Sequence, residues 1–253
     1  MNKEKYVNRT YRSLHQAGDM HYFNLRVKQS DLAIGVDRES YSDSLVALCR
    51  KELIALRAEL EDYINLHPEF LTSLVPLKLL PGAPELAKQM AKAAALAGVG
   101  PMAAVAGSLS QAVGKKLSSC CRECVVENGG DIYLHSHRER RVAVFAGPST
   151  FSYKIAIRIS PEETPVGICT SSGTVGPSLS FGRADAVVIK ARDVAVADAI
   201  ATAAANLVKS KDDLIKAIEF VQNIRQVAGI LVIKNDKLAA WGEIEIISLK
   251  GGK

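Results

Sequence analysis

The chain has 253 residues, 48% hydrophobic and 23% charged, with a formal net charge of +5. Such a chain can bury a real core without a disulfide or metal staple. The mild charge suits an anionic small molecule, the absence of a basic stripe interleaved with aromatics argues against nucleic acid, and no apolar run reaches the roughly 18 residues of a membrane span.

Met1-Asn2-Lys3-Glu4-Lys5 has no apolar stretch behind it, so neither a signal nor a transit peptide is expected. Five cysteines without an export signal predict reduced thiols in a cytoplasmic protein. Residues 22–27 and 32–36 alternate as two strands around Gln29-Ser30-Asp31. A helix over 41–66 carries the stripe Leu45, Cys49, Leu53, Leu56, Leu60 and Ile64. Pro68, Pro76, Pro81 and Pro84 then punctuate a linker-like stretch with one short helix. Two alanine-rich helices follow, over 85–97 and 102–117, with Pro101 suited to a helix start. Small residues at Ala103, Ala104, Ala106, Gly107 and Ser110 imply close approach of another backbone or a ligand. Strands are expected at 124–127, 131–135, 142–145 and 153–159, then a loop over 170–180 and a strand at 186–190. Helices at 194–208 and 212–224 and strands at 230–233 and 244–247 complete the chain. Elements in clumps rather than strict alternation favour an α+β fold. The chain reads as one unit over 1–253 or two closely fused halves, and its oligomeric state, homo-oligomer included, is left open.

Three segments are candidates for a site. Glu127-Asn128-Gly129-Gly130-Asp131 joins two strands; its paired glycines admit positive φ and close approach of a ligand, and Asn128 and Asp131 add a donor and a carboxylate. Alone, the same residues read as a hairpin turn. Thr170-Ser171-Ser172-Gly173-Thr174-Val175-Gly176-Pro177-Ser178, extended to Arg183, gathers six hydroxyls, three glycines and one arginine within 14 residues. Such a loop can present N–H groups and hydroxyls to a phosphate, although it lacks the Gly-Lys-Ser/Thr ending of a P-loop. The third is helical: Asp198, Thr202 and Asn206 make a polar stripe on a stretch of mostly alanine. Asp198 and Thr202, one turn apart, can share Mg²⁺ with phosphate oxygens and water, and the lack of Lys and Glu between 195 and 208 favours a buried or ligand-facing stripe over a solvated one.

The thiols divide. Cys49 lies on a core stripe. Cys120, Cys121 and Cys124, followed by His135 and His137, contain one C-x-x-C where a structural zinc site usually shows two. Cys169 precedes the glycine-hydroxyl loop, where backbone donors could lower a thiol pKa and make it a nucleophile; the alternative is a buried strand cysteine. Residues 135–141, His-Ser-His-Arg-Glu-Arg-Arg, read as a solvated hairpin tip or as a basic segment steering an anion.

Together the segments at 99–107, 126–133, 169–176 and 197–202 resemble an ApbE-like family of archaea and bacteria, over roughly 11–241 of the chain. The resemblance implies an α+β, T-fold-like architecture of antiparallel sheets and alanine-rich helices. ApbE proteins are flavin transferases that split FAD and place FMN on a threonine of a partner protein, using Mg²⁺. Carried over, Gly129-Gly130-Asp131 corresponds to the flavin-contact turn, and Asp198 and Thr202 to the metal-ligating segment. Two features differ: Ala106 stands where ApbE proteins have a lysine, and their His-x-x-Asp-Pro-Arg-Thr-Gly motif is absent, with the 170–181 loop in its place. The short family's link to sulfur assimilation through persulfides would instead make Cys169 a sulfane-sulfur carrier; a binding or scaffold module without chemistry is the third reading.

Overall fold

The computed structural model describes residues 18–173 and 181–249. Thr174 and Ser178, named above as ligand contacts, lie outside them.

The chain opens with the hairpin β1 (Met20–Val27) and β2 (Ser30–Asp37). Leu25, Leu32, Ile34 and Val36 are wholly buried, as period-2 alternation requires of a strand with one face on a core. The helix α1 (Asp43–Leu66) begins where Ser42 accepts the N–H of Leu45, an N-cap bond of 3.2 Å. It leads to the short α2 (Glu69–Thr72) and to α3 (Glu85–Ala97), which ends on Gly98 in the left-handed region at φ 72°. A 3-10 turn over Pro101–Ala104 precedes α4 (Val105–Ser118), so the expected helix over 102–117 is two pieces.

Then come β3 (Cys124–Asn128), β4 (Asp131–His135), β5 (Arg140–Ala143), β6 (Ile155–Ile159), β7 (Val166–Ser171) and β8 (Ala186–Ala191). The chain continues through α5 (Val194–Leu207), α6 (Leu214–Gln222), β9 (Val227–Lys234), β10 (Lys237–Gly242) and β11 (Glu245–Ser248). Strands β1-β2-β3-β4-β7-β8-β9-β10 form one sheet, in that order, with every neighbouring pair antiparallel. Strands β11-β6-β5 form a second.

The large sheet is covered on both faces. Cys124, Val126, Tyr133, Cys169, Val187, Ile189, Ile230 and Val232 pack into the helix layer. Leu134, Val166, Ile168, Val188, Leu231 and Ile233 pack with Ile157 and Ile159 of the small sheet. This is the mixed helix and antiparallel-sheet architecture that the sequence implies.

Three expectations change. The hydroxyl-rich loop does not start at Thr170, because β7 carries Thr170 and Ser171 in register with Val188 and Val187. Strand β10 was not expected: its largely exposed side chains give it little alternation. The 135–141 segment is solvated in part, with His137, Arg138, Glu139 and Arg141 exposed, but it is not a hairpin tip, because β4 and β5 lie in different sheets. Ser136 is buried, and the Arg140 guanidinium is held by Glu123 and, at 2.8 Å, by Asp19.

Candidate functional site

The first component is the β3–β4 turn. Gly129 and Gly130 take φ of 71° and 106°, the left-handed values of a two-residue hairpin turn. The Glu127 carboxylate accepts the Gly130 N–H at 2.8 Å and braces the turn from within. Asn128 Nδ2 donates to the Ala106 carbonyl at 3.3 Å, tying the turn to the start of α4. The hairpin and the candidate site are therefore one object, with its glycine backbone left accessible.

Register supplies the second component. Asp131 of β4 stands directly opposite Cys169 of β7, and the Thr170 N–H donates to the Gly130 carbonyl at 3.2 Å. Asp131 and Cys169 both lie on the helix-covered side. The Cys169 thiol is wholly buried, hydrogen-bonds Asp131, and approaches the Val194 carbonyl at 3.4 Å. Burial first, then the Asp131 and Asp198 carboxylates, push its pKa well above the ordinary thiol value. A nucleophilic cysteine needs accessibility and a stabilised thiolate. Cys169 has neither, so the buried-cysteine alternative describes it, and the nucleophile and sulfur-carrier readings lose their physical basis.

The third component is α5. Its alanines let α4 approach closely: a Cβ on Gly107 would lie 2.6 Å from the Val194 carbonyl oxygen. The N-cap residue of α4, Ala104, has no side chain to cap the helix. Asp198 does this instead, from α5: its Oδ2 accepts the Gly107 N–H at 2.8 Å, and the Ala106 N–H bonds the same carboxylate. These are the second and third N–H groups of the helix, the orphan donors that an N-cap normally satisfies. Asp198 is buried. Burial, then the neighbouring Asp131, push its pKa well above the carboxylate range against the pull of the two N–H bonds.

The polar stripe thus splits by depth. Asp198 is buried, whereas Thr202 is half-buried and its hydroxyl makes no hydrogen bond in the described structure. Asn206 accepts the Phe181 N–H at 2.9 Å. The Gly173 N–H donates to the Ala184 carbonyl at 2.9 Å, and the Ser172 hydroxyl reaches the same carbonyl at 3.4 Å. Gly182 lies so close to α5 that a Cβ there would overlap the Ala205 carbonyl oxygen at 1.8 Å. Both flanks of the 174–180 segment are therefore fixed, one against the other and against the end of α5.

The structure brings Asn128, Gly130, Asp131, Cys169, Thr170 and Asp198 into one contiguous arrangement. Its two carboxylates, Asp131 and Asp198, are buried and act on each other, while Gly129, Gly130, Thr170 and Ser171, and Thr202 one turn beyond Asp198 on α5, are at least partly exposed. Sequence reasoning missed the part played by the Ala106 and Gly107 N–H groups. The available signal was a helix opening on alanines, which needs an acceptor from elsewhere.

Among the described residues, no group of three or more His, Cys, Asp or Glu is arranged to hold a metal ion. That removes the zinc reading of Cys120, Cys121, Cys124, His135 and His137. The oxygen donors that could hold a hard cation are the Asp131 and Asp198 carboxylates and, one turn along α5, the Thr202 hydroxyl. A carboxylate offers about four lone-pair positions, so the two N–H bonds leave Asp198 able to bind a cation. Among the described residues, no single helix is long and apolar enough to cross a membrane.

Comparison with known proteins agrees with this architecture. Residues 12–223 match a sequence-family model described as "AbpE bacteria". The chain is 38% identical over 225 residues to a UPF0280 protein of Methanococcus aeolicus, covering 87% of this chain and 89% of that protein. It is 39% identical over 239 residues to a UPF0280 protein of Archaeoglobus fulgidus, covering 92% and 97%. Its fold is similar to that of the flavin transferase ApbE from Vibrio cholerae, with a TM-score of 0.59 over 88% of this chain and 96% of that one. At 14% identity that likeness is one of fold alone.

Proposed function

This chain belongs to the UPF0280 family of ApbE-like proteins, and from that premise we propose that it binds a phosphorylated ligand of the flavin-nucleotide class, together with Mg²⁺, over the floor formed by Asp131 and Asp198. One observation carries the reading: β4 and α5, distant in sequence, bring two buried carboxylates, Asp131 and Asp198, close enough to act on each other and on the Cys169 thiol, in a region that also carries partly exposed glycine backbone and hydroxyls. Buried like charges repel, and the arrangement favours a bound proton or a bound cation over two bare carboxylates.

In this reading each residue has a distinct task. Asp131 and Asp198 hold the cation, with Thr202 as a neutral oxygen donor from the same helix face. Bound there, Mg²⁺ would offset phosphate charge and fix the phosphate's orientation. Gly129 and Gly130 offer a surface without side chains, on which a flat ring or a phosphate can approach the backbone. The Thr170 and Ser171 hydroxyls, which make no hydrogen bond in the described structure, are available to phosphate oxygens. Glu127 braces the turn, and Asn128 ties it to α4 through its Nδ2 while remaining a candidate ligand contact. Flavin transfer, as the name of the Vibrio cholerae protein describes for that protein, is the activity to assay once binding is established.

Calorimetric titration with FAD and with FMN, in Mg²⁺ and in EDTA, tests the proposal. Binding should require Mg²⁺ and weaken at least about tenfold in Asp131→Asn and in Asp198→Asn, corresponding to loss of roughly 1.4 kcal/mol. Equal affinity in wild type and both variants would refute it.

A further inference from the structure

The stretch after α2 has no part in the site, yet its surface is unusual. Leu71, Leu74, Val75 and Leu80 are 52, 55, 61 and 44% exposed, and Leu66 at the end of α1 is also exposed. This is not a loose loop. Phe70 is wholly buried and anchors its start. The Ser73–Leu74 backbone is seated on Gly100 so closely that a Cβ there would overlap the Ser73 carbonyl oxygen at 1.7 Å. The Ser73 hydroxyl donates to the Val75 carbonyl at 2.7 Å, and the Leu80 N–H donates to the Tyr63 hydroxyl at 3.0 Å. The backbone is pinned at both ends; Leu77 and Leu79 are half-buried, Leu79 against the core, while Leu74, Val75 and Leu80 stay exposed.

We propose that this strip is the surface on which a second copy of the chain docks about a two-fold axis. Its exposed side chains present roughly 400–500 Å² of apolar surface, near the upper end of what a monomer usually leaves open. That is more than half of the roughly 800 Å² per partner in a standard interface, and the flanking polar residues can supply the rest. The 76–80 segment lies outside every helix and strand, and the N–H groups of Leu77, Lys78 and Leu79 take no partner among the described residues. They are free to pair with the same segment of a second copy, as an exposed strand edge does. The charges fit the same symmetry. Glu69 opens the strip and Lys78 lies near its far end; both side chains are exposed. An antiparallel two-fold brings Lys78 of each copy toward Glu69 of the other. In a two-fold interface one patch serves both partners, so a strip complementary to itself is the expected signature.

Sedimentation equilibrium of the full chain measures the association directly. Wild type should show twice the 27.2 kDa chain mass at micromolar loading. Leu74→Asp with Val75→Asp should weaken dimerisation at least about 100-fold, the loss expected when apolar anchors at an interface are replaced by charge. Both positions are exposed, so circular dichroism should be unchanged. Lys78→Glu and Glu69→Lys should each weaken association, and the two together should restore it. A wild-type monomer at about 100 μM, or an unchanged mass in the Leu74/Val75 variant, would overturn the proposal. Failure of the double charge reversal to recover would overturn the two-fold pairing.

Discussion

Replacing Asp198 separates its structural role from its charge. Asp198→Ala leaves the Gly107 and Ala106 N–H groups without an acceptor at a buried helix start. A lost cap costs about 1 kcal/mol and an unsatisfied buried N–H about 1–3 kcal/mol. Relief of the buried charge offsets part of this, leaving a net loss of about 2 kcal/mol. In a chain of this size that lowers Tm by roughly 4–8 °C. Asp198→Asn keeps a carbonyl oxygen for one N–H and removes the charge, so its loss should be smaller. The pH dependence follows from the raised pKa. The folded state holds a proton that the unfolded chain releases near pH 4, so wild-type stability without metal falls as pH rises above that value. Asp198→Asn lacks this slope and should equal or exceed wild type in EDTA at pH 8, while gaining nothing from Mg²⁺. Thermal unfolding by circular dichroism from pH 4.5 to 8, in EDTA and in Mg²⁺, reads each of these differences. Equal losses in the Asn and Ala variants at pH 8, together with a wild-type Tm that does not fall with pH, would refute the reasoning.

Gly107→Ala should destabilise by about 1–2 kcal/mol in denaturant titration: overpacking against the Val194 carbonyl outweighs the gain in helix propensity of up to about 1 kcal/mol. Iodoacetamide at neutral pH should label exposed Cys120 and spare Cys169 and Cys49, whose pKa burial raises to about 11 in the case of Cys49; peptide mapping that finds Cys169 labelled in the native protein would restore the nucleophile reading. Phe70→Ala removes a wholly buried ring and should cost about 3–5 kcal/mol, with proteolysis at residues 71–80 as the local readout.

Much of the fold was legible because its signals are local. The β1–β2 hairpin showed as two alternating runs around a polar turn, and α1 as a six-member apolar stripe. The ends of α3 follow from Pro84 before it and Gly98 after it. Strand β10 escaped because only Ala239 and Trp241 of this edge strand pack on the core, too short an alternation to stand out. Thr170 and Ser171 read as loop because hydroxyls dominate their neighbourhood, whereas pairing with β8 makes them strand. The candidate site was legible as residue types and not as bonds. Nothing local in α5 shows that Asp198 meets a helix start 91 residues earlier, because that contact depends on the packing of α4 against α5. The buried-strand alternative for Cys169 holds, and what the sequence could not show is its surroundings. Its neighbours in sequence are donors, but its neighbours in space are two carboxylates and a carbonyl, which hold the thiol proton in place.

The most direct test of the Asp131–Asp198 floor is anomalous diffraction from a crystal grown with FAD and Mn²⁺ as a stand-in for Mg²⁺. The expected result is a manganese peak in bonding contact with the carboxylates of both residues and with a ligand phosphate. A peak elsewhere, or ligand bound over the turn with no metal at those carboxylates, would contradict it.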